Sequence, residues 1–156
     1  MATIRIEKTI PAPVERVFEV ISDHAGYSRF PGIQSSELVR EGETERNGLG
    51  ALRRIRSRPL SFEEEVTRFE RPTRMDYLIL DVNAPISHDG GSMVLSEEGS
   101  GTRVVWTSTF EYTVPVMGGA LGAVTVPYMS RGFRRVLDEV ELLATVPEAS
   151  VAAAKA

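Results

Sequence analysis

The sequence has no cysteine, only two histidines and one tryptophan, and no basic block. Without cysteine there is neither a disulfide framework nor a thiolate metal site, and nothing points to an oxidising compartment, so a cytoplasmic location is expected. His24 and His88 stand far apart in the chain and cannot make a conventional zinc set without several carboxylates. Neither a metal nor a cofactor is therefore expected. Eighteen Lys+Arg against twenty-two Asp+Glu leave a net charge of −4. Both signs are scattered, without the stripe that neutralises phosphates, which argues against a nucleic-acid partner. No apolar run approaches the ~18–20 residues of a bilayer span. The opening MATIRIEKTI alternates apolar with polar residues, where a signal peptide would show a charged start and an apolar run. The chain reads as soluble, unprocessed and without stable membrane insertion. There is no phosphate-loop motif and no G-x-S-x-G elbow, and Gly99-Ser100-Gly101 reads as a hairpin turn.

What remains is one domain's worth of chain, 156 residues, long enough to bury roughly 68–70% of its unfolded surface. Thr3 to Ile10 alternates as a half-buried strand, which Pro11 and Pro13 stop. Pro13 suits the first turn of a helix, and Val14, Val17, Phe18 and Ile21 share one face, so Pro13 to Ser22 reads as helical. A second short helix is expected over His24 to Phe30, ending at Pro31-Gly32. From Ser36 to Tyr112, turn signals at Glu43–Gly50, Arg58-Pro59, Pro72-Thr73, Asn83–Pro85 and Gly99–Gly101 divide a run of strands into an antiparallel meander. Met129, Phe133, Val136, Val140 and Leu143 then mark a long helix to about Thr145, with Pro127 kinking it or opening its regular part. Val116 to Val124 is apolar but glycine-rich and reads as a poor helix and a mobile element. The domain is expected over 1–146, with 147–156 as a flexible tail.

One stretch, Arg53-Arg54-Ile55-Arg56-Ser57-Arg58-Pro59-Leu60-Ser61-Phe62-Glu63-Glu64-Glu65-Val66, sets arginines against glutamates across a turn. If Arg58-Pro59 is that turn and Ser57 faces Leu60, Ala51 faces Val66, Arg53 faces Glu64 and Ile55 faces Phe62, all on one face. Leu52 with Glu65, Arg54 with Glu63 and Arg56 with Ser61 make the other, which is mostly charged and belongs to water. Arg53 and Glu64 then form an inward charge pair. Lengthening the loop symmetrically keeps these pairs, whereas a one-residue bulge breaks them. A buried charge must be paired, so Arg53–Glu64 is either structural or functional. In the functional reading, Arg53 orients a ligand carbonyl or enolate and Glu64 accepts a proton or hydrogen bond.

Strand, two short helices, meander and long terminal helix is the order of an α+β helix-grip fold, a curved antiparallel sheet wrapped around the C-terminal helix. PAPVERVFEVISD followed by YSRFPG resembles the opening of the START-like, Bet v 1-like (SRPBCC) superfamily, in particular its bacterial polyketide cyclase/dehydrase branch. Leu49-Gly50-Ala51-Leu52-Arg53, Glu64-x-Val66, the Pro72–Tyr77 turn and strand, and Gly101-Thr102-Arg103-Val104-Val105-Trp106 are similar to its later signatures, in order, over residues 3 to 145. Phe30 departs from the tryptophan of many relatives. The resemblance implies an apolar cavity between sheet and helix for a small hydrophobic ligand. It does not imply one reaction.

His88 starts a strand where relatives often carry a residue that reaches the cavity. Its direction depends on register: with His88 opposite Phe110 and Val94 opposite Val104 it points inward, and with Asp89 opposite Phe110 it points outward. Trp106 shares the inner face of Val104 and Phe110, as core bulk or as ligand contact. Tyr77 and Tyr128 are candidates of the same type, with packing as the alternative. Three readings follow. The first is a binding module whose wall is Phe62, Tyr77, Trp106, Phe110, Tyr128, Met129 and Phe133, oriented by Arg53, Glu64 and His88. The second is a cyclase/dehydratase-type enzyme in which Glu64 or His88 removes a proton alpha to a ketone and Arg53 stabilises the enolate. The third is an interaction protein, for example a homodimer, acting through the outer sheet or the Gly-rich segment.

Overall fold

The computed structural model describes residues 1–114 and 118–147. Strand β1 (Ala2–Ile10) leads into helix α1 (Val14–Ser22) and a 3-10 helix (His24–Arg29). The meander follows as β2 (Ser35–Arg40), β3 (Leu52–Ser57), β4 (Leu60–Glu70), β5 (Arg74–Val82), β6 (Ile86–Glu98) and β7 (Gly101–Tyr112), and α2 (Gly118–Thr145) closes the fold. All seven strands form one antiparallel sheet in the order β1-β7-β6-β5-β4-β3-β2. This is the helix-grip arrangement, with every turn of the meander where the punctuation of the sequence puts it.

Alternation decides which face is inside. On β1, Ile4 and Ile6 are buried and Arg5 and Glu7 exposed; on β7, Thr102, Val104, Trp106, Ser108 and Phe110 are buried. Helix α1 contributes Val14, Val17, Phe18 and Ile21, and α2 contributes Leu137, Val140 and Ala144. Polar ties fix the layers to one another. Lys8 Nζ lies 2.5 Å from both Asp138 Oδ1 and Glu141 Oε2, clamping β1 to α2. Arg16 Nη2 donates to the Leu143 carbonyl at 3.2 Å, joining α1 to the end of α2.

The Gly-rich segment departs from its reading. Residues 115–117 lie outside the described ones, but from Gly118 the chain is helical and runs through Pro127 to Thr145. Propensity misses this because packing sets it: Gly122 lies against the Tyr112 ring, and the Tyr112 hydroxyl is hydrogen-bonded to Thr125 Oγ1. The expected tail lies beyond the described residues apart from Pro147. Among the described residues no helix is long and apolar enough to cross a membrane.

Thr102 anchors the connection from β1 to α1, its fully buried hydroxyl donating to the Ala12 carbonyl at 2.8 Å. Thr102→Val keeps the shape but leaves that carbonyl unpartnered. It should lower unfolding stability by about 1–3 kcal/mol in urea titrations.

Candidate functional site

The β3–β4 hairpin has the register that its turn predicts. Ser57 pairs with Leu60, Ile55 with Phe62, Arg54 with Glu63 and Arg53 with Glu64. The peptide before Pro59 is cis, which accommodates proline at the third position of the four-residue turn. Backbone bonds of 2.9 Å join Gly50 N–H to the Val66 carbonyl and Val66 N–H to the Ala51 carbonyl. Outside, Glu63 Oε1 accepts from Arg54 at 2.5 and 2.9 Å, and Glu65 pairs with Arg40.

Inside, Arg53 and Glu64 are 1 % and 4 % exposed, in ion-pair contact through Arg53 Nε and Glu64 Oε1. The Arg53 guanidinium lies 4.7 Å from the centre of the Tyr27 ring, and the Tyr27 hydroxyl donates to the Ile21 carbonyl at 2.5 Å. Burial works against the Arg53 charge, but the attraction of Glu64, joined by contributions from Tyr27 and Tyr77, outweighs it and the guanidinium stays protonated. Burial also pushes the Glu64 carboxyl up from its ordinary range, against the pull of Arg53. Arg53 Nη1 has no hydrogen-bond partner.

A second polar group lies along β5, β6 and β7. Ile86 to His88 pair with Tyr112 to Phe110, whereas Gly90 to Glu98 pair with Thr109 to Gly101, and the change across Asp89 is a β-bulge. Each of the two registers open to the sequence therefore holds on one side of the bulge. His88 opposes Phe110 and faces inward, while Val94 opposes Val105 and faces out. Gly90, at the bulge, has φ +141°, a conformation that favours glycine. Pairing of β5 with β6 stops at Tyr77–Gly91, which leaves the next inward donor of β5 without a strand partner. His88 replaces it, its Nδ1 accepting from Ile79 N–H at 3.0 Å. In the neutral ring the proton is then on Nε2, which lies 3.0 Å from Ser108 Oγ and donates to it. Burial lowers the imidazole pKa, opposed by the Asp89 charge.

Tyr77 stacks on His88 with ring centres 5.4 Å apart and accepts from Trp106 Nε1 at 2.9 Å. To do so its ring crosses β6 over Gly91, where any Cβ would collide with it. Burial pushes the Tyr77 phenol far above its ordinary range. Trp106 in turn stacks on Phe133 of α2, centres 3.9 Å apart.

Of the expected wall, Tyr77, Trp106 and Phe110 are buried on the inner face, and Phe62, Met129 and Phe133 are half-buried against the core. Tyr128 is not part of it. It is 69 % exposed, because one residue before Met129 is about 100° round the helix and falls on the outer side with Val124. The His24 side chain lies outside the described ones. Three inner residues escape the sequence reading. Ser108 was open to it, two residues from both Trp106 and Phe110 on the same face. Gly91 and Tyr27 carry no such signal, since one acts by leaving room and the other arrives from the 3-10 helix.

A buried pair costs most when halved. Arg53→Met or Glu64→Leu alone should destabilise by about 3–5 kcal/mol, while the double variant should return to within about 1 kcal/mol of the parent or exceed it. Urea unfolding of all four proteins reads this directly. The neutral His88 imidazole gives a pH dependence. Its native pKa lies below the ordinary 6.5, so on acidification the unfolded chain takes up the proton first. The contribution of His88 is thus intact above 6.5 and lost as pH falls through the native value. Thermal unfolding from neutral to mildly acidic pH should show a steeper fall for the parent than for His88→Asn; parallel curves would contradict it.

The fold and the site place the chain among known proteins. It is similar to TTHA0849 from Thermus thermophilus, with 27% identity and a TM-score of 0.75 over 91% of this chain and 96% of that one. The START superfamily protein from Mycobacterium smegmatis superposes with a TM-score of 0.74 at 13% identity, covering 92% and 99% of the two chains. Ara h 8.0201 gives 0.65 at 18%, covering 88% and 96%. Among curated proteins none matches the sequence. The family model for polyketide cyclase / dehydrase and lipid transport matches residues 1–144, and the chain belongs to that family.

Proposed function

We propose that this protein binds a small apolar or aromatic molecule, polyketide- or lipid-like, between the inner face of the sheet and α2, and that Arg53 holds the polar edge of that molecule. One observation carries the reading: a guanidinium 1 % exposed, with one nitrogen on Glu64 and Nη1 unpartnered. Buried donors are almost always satisfied, so an orphan on the most costly side chain of the core calls for an oxygen that an occupant supplies. Glu64 already neutralises Arg53, and a ligand carboxylate would leave a net negative charge in a low-dielectric interior. The expected ligand is neutral, with a carbonyl or hydroxyl oxygen.

Binding is favoured over cyclase/dehydratase chemistry by the proton inventory. His88 has Nδ1 occupied by Ile79 N–H and Nε2 by Ser108, and Glu64 faces Arg53. A general base needs a free lone pair within reach of the substrate proton; His88 offers none, and Glu64 is tied through Oε1 to Arg53.

Trp106 is the only tryptophan, so intrinsic fluorescence reports on this wall alone. Titration with 2-naphthol should change Trp106 emission saturably. Arg53→Met/Glu64→Leu, with an uncharged interior, should bind it about ten- to a hundredfold more weakly, the range for a hydrogen bond to a charged group. Native mass spectrometry of protein from its own host should show a retained small molecule. A bare mass together with no saturable emission change would overturn the reading.

A further inference from the structure

Among the described residues the outer side of α2 has no partner, and its composition is unusual. Ala120, Ala123, Val124, Pro127 and Tyr128 are all on that side, with Val124 exposed at 72 % and Tyr128 at 69 %. One turn further on lie Arg131, Arg134 and Arg135, and among the described residues none of them is within ion-pair distance of a carboxylate. Many arginines elsewhere are paired, Arg5 and Arg103 with Glu7, Arg54 with Glu63 and Arg74 with Asp76, whereas Arg56 and Arg58 beside the β3–β4 turn are likewise without a carboxylate among the described residues. The acidic residue next along the stripe, Asp138, is taken by Lys8. At 100° per residue, Ala120, Val124, Tyr128, Arg131 and Arg135 fall within a strip of about 80° on the cylinder, some ~24 Å long.

We infer that this stripe is a docking surface for an anionic lipid bilayer. The apolar half and Tyr128 enter the headgroup boundary while the three arginines meet lipid phosphates. Charge complementarity selects the occupant. A second copy of the chain across a two-fold axis would set the same free arginines against each other. An aromatic and small apolar residues on one convex helix suit a fluid surface better than a protein ridge. A cleft of about 520 Å3 opens at the same end of α2, lined by Ala2, Thr3, Tyr112, Gly119, Gly122 and Val126. Docking on α2 would bring this opening beside the lipid, the reservoir from which an apolar ligand partitions. That last step rests on the proposed interior binding; the docking itself does not.

Vesicle flotation separates the two. The protein should float with phosphatidylcholine vesicles containing phosphatidylglycerol and not with phosphatidylcholine alone, and high salt should release it. Arg131→Glu/Arg135→Glu should lower partitioning roughly thirtyfold or more, given two surface charges lost. Val124→Asp/Tyr128→Asp should abolish it. All four sites lie on the outer side of the helix, so circular dichroism and the 2-naphthol titration should stay as in the parent, and failure of either reading leaves the other measurable. Absence of flotation on the anionic vesicles, or flotation indifferent to these substitutions, would overturn the proposal. So would a concentration-dependent dimer in ultracentrifugation that Tyr128→Asp dissolves, which would make the stripe a self-interface.

Discussion

The Arg53–Glu64 pair is the constraint around which the inner face is arranged. Two full charges at 1 % and 4 % exposure are tolerable only in contact with each other, and contact requires that they oppose across β3 and β4. The tight turn at Arg58-Pro59 guarantees this: a slip of one residue would put Arg53 and Glu64 on opposite faces and break the pair. Tyr27 completes the arrangement by placing its ring over the guanidinium, which ties the 3-10 helix to the sheet. A charge relationship in one hairpin thereby fixes how the N-terminal helical layer rests on the meander.

On the other side of the same face the organising device is the Asp89 bulge. It ends the β5–β6 ladder early, and a side chain takes the place of a backbone acceptor. Gly91, Tyr77, Trp106 and Ser108 are each explained by that substitution: glycine opens the path for the tyrosine ring, the indole N–H satisfies its hydroxyl, and serine meets the remaining imidazole nitrogen. Unlike the arginine, these groups are mutually satisfied. The contrast is informative, because a fold that completes one buried polar network and leaves Arg53 Nη1 unpartnered in the other places its unmet demand on one side chain.

Legibility followed the range of the interaction. The β3–β4 register could be read because a short turn and period-two alternation are local and leave few options. The helix-grip order was legible from punctuation and from the stripe of α2. The β6–β7 register was not, because a bulge is decided by a single residue of slack and both registers fit the flanking alternation equally well. The helical start at Gly118 lay against propensity and was set by packing on Tyr112, a contact that local composition does not encode. Tyr128 was misplaced for a geometric reason: aromatic character suggests a wall, but on a helix a single step in sequence is enough to leave the core face. Tyr27 under Arg53 is purely tertiary and left no trace in spacing.

Stability alone gives a weak reason for the Arg53–Glu64 pair. Apolar residues of similar volume at both positions are usually at least as stable as a buried ion pair, since the attraction rarely exceeds the cost of removing two charges from water. The fold has an ample apolar core around the site, from Ile55 and Val66 to Met75 and Met93, and does not lack the means to close this region without charge. A register or specificity role is also poorly supported, because the Arg58-Pro59 turn and the outer Arg54–Glu63 pair already set the same register. What an apolar replacement could not supply is a fixed, always-charged donor buried on the inner face, held neutral overall by its partner. That is the property a recognition site for an uncharged, oxygen-bearing ligand requires, and it is the property this pair retains at a cost to the fold.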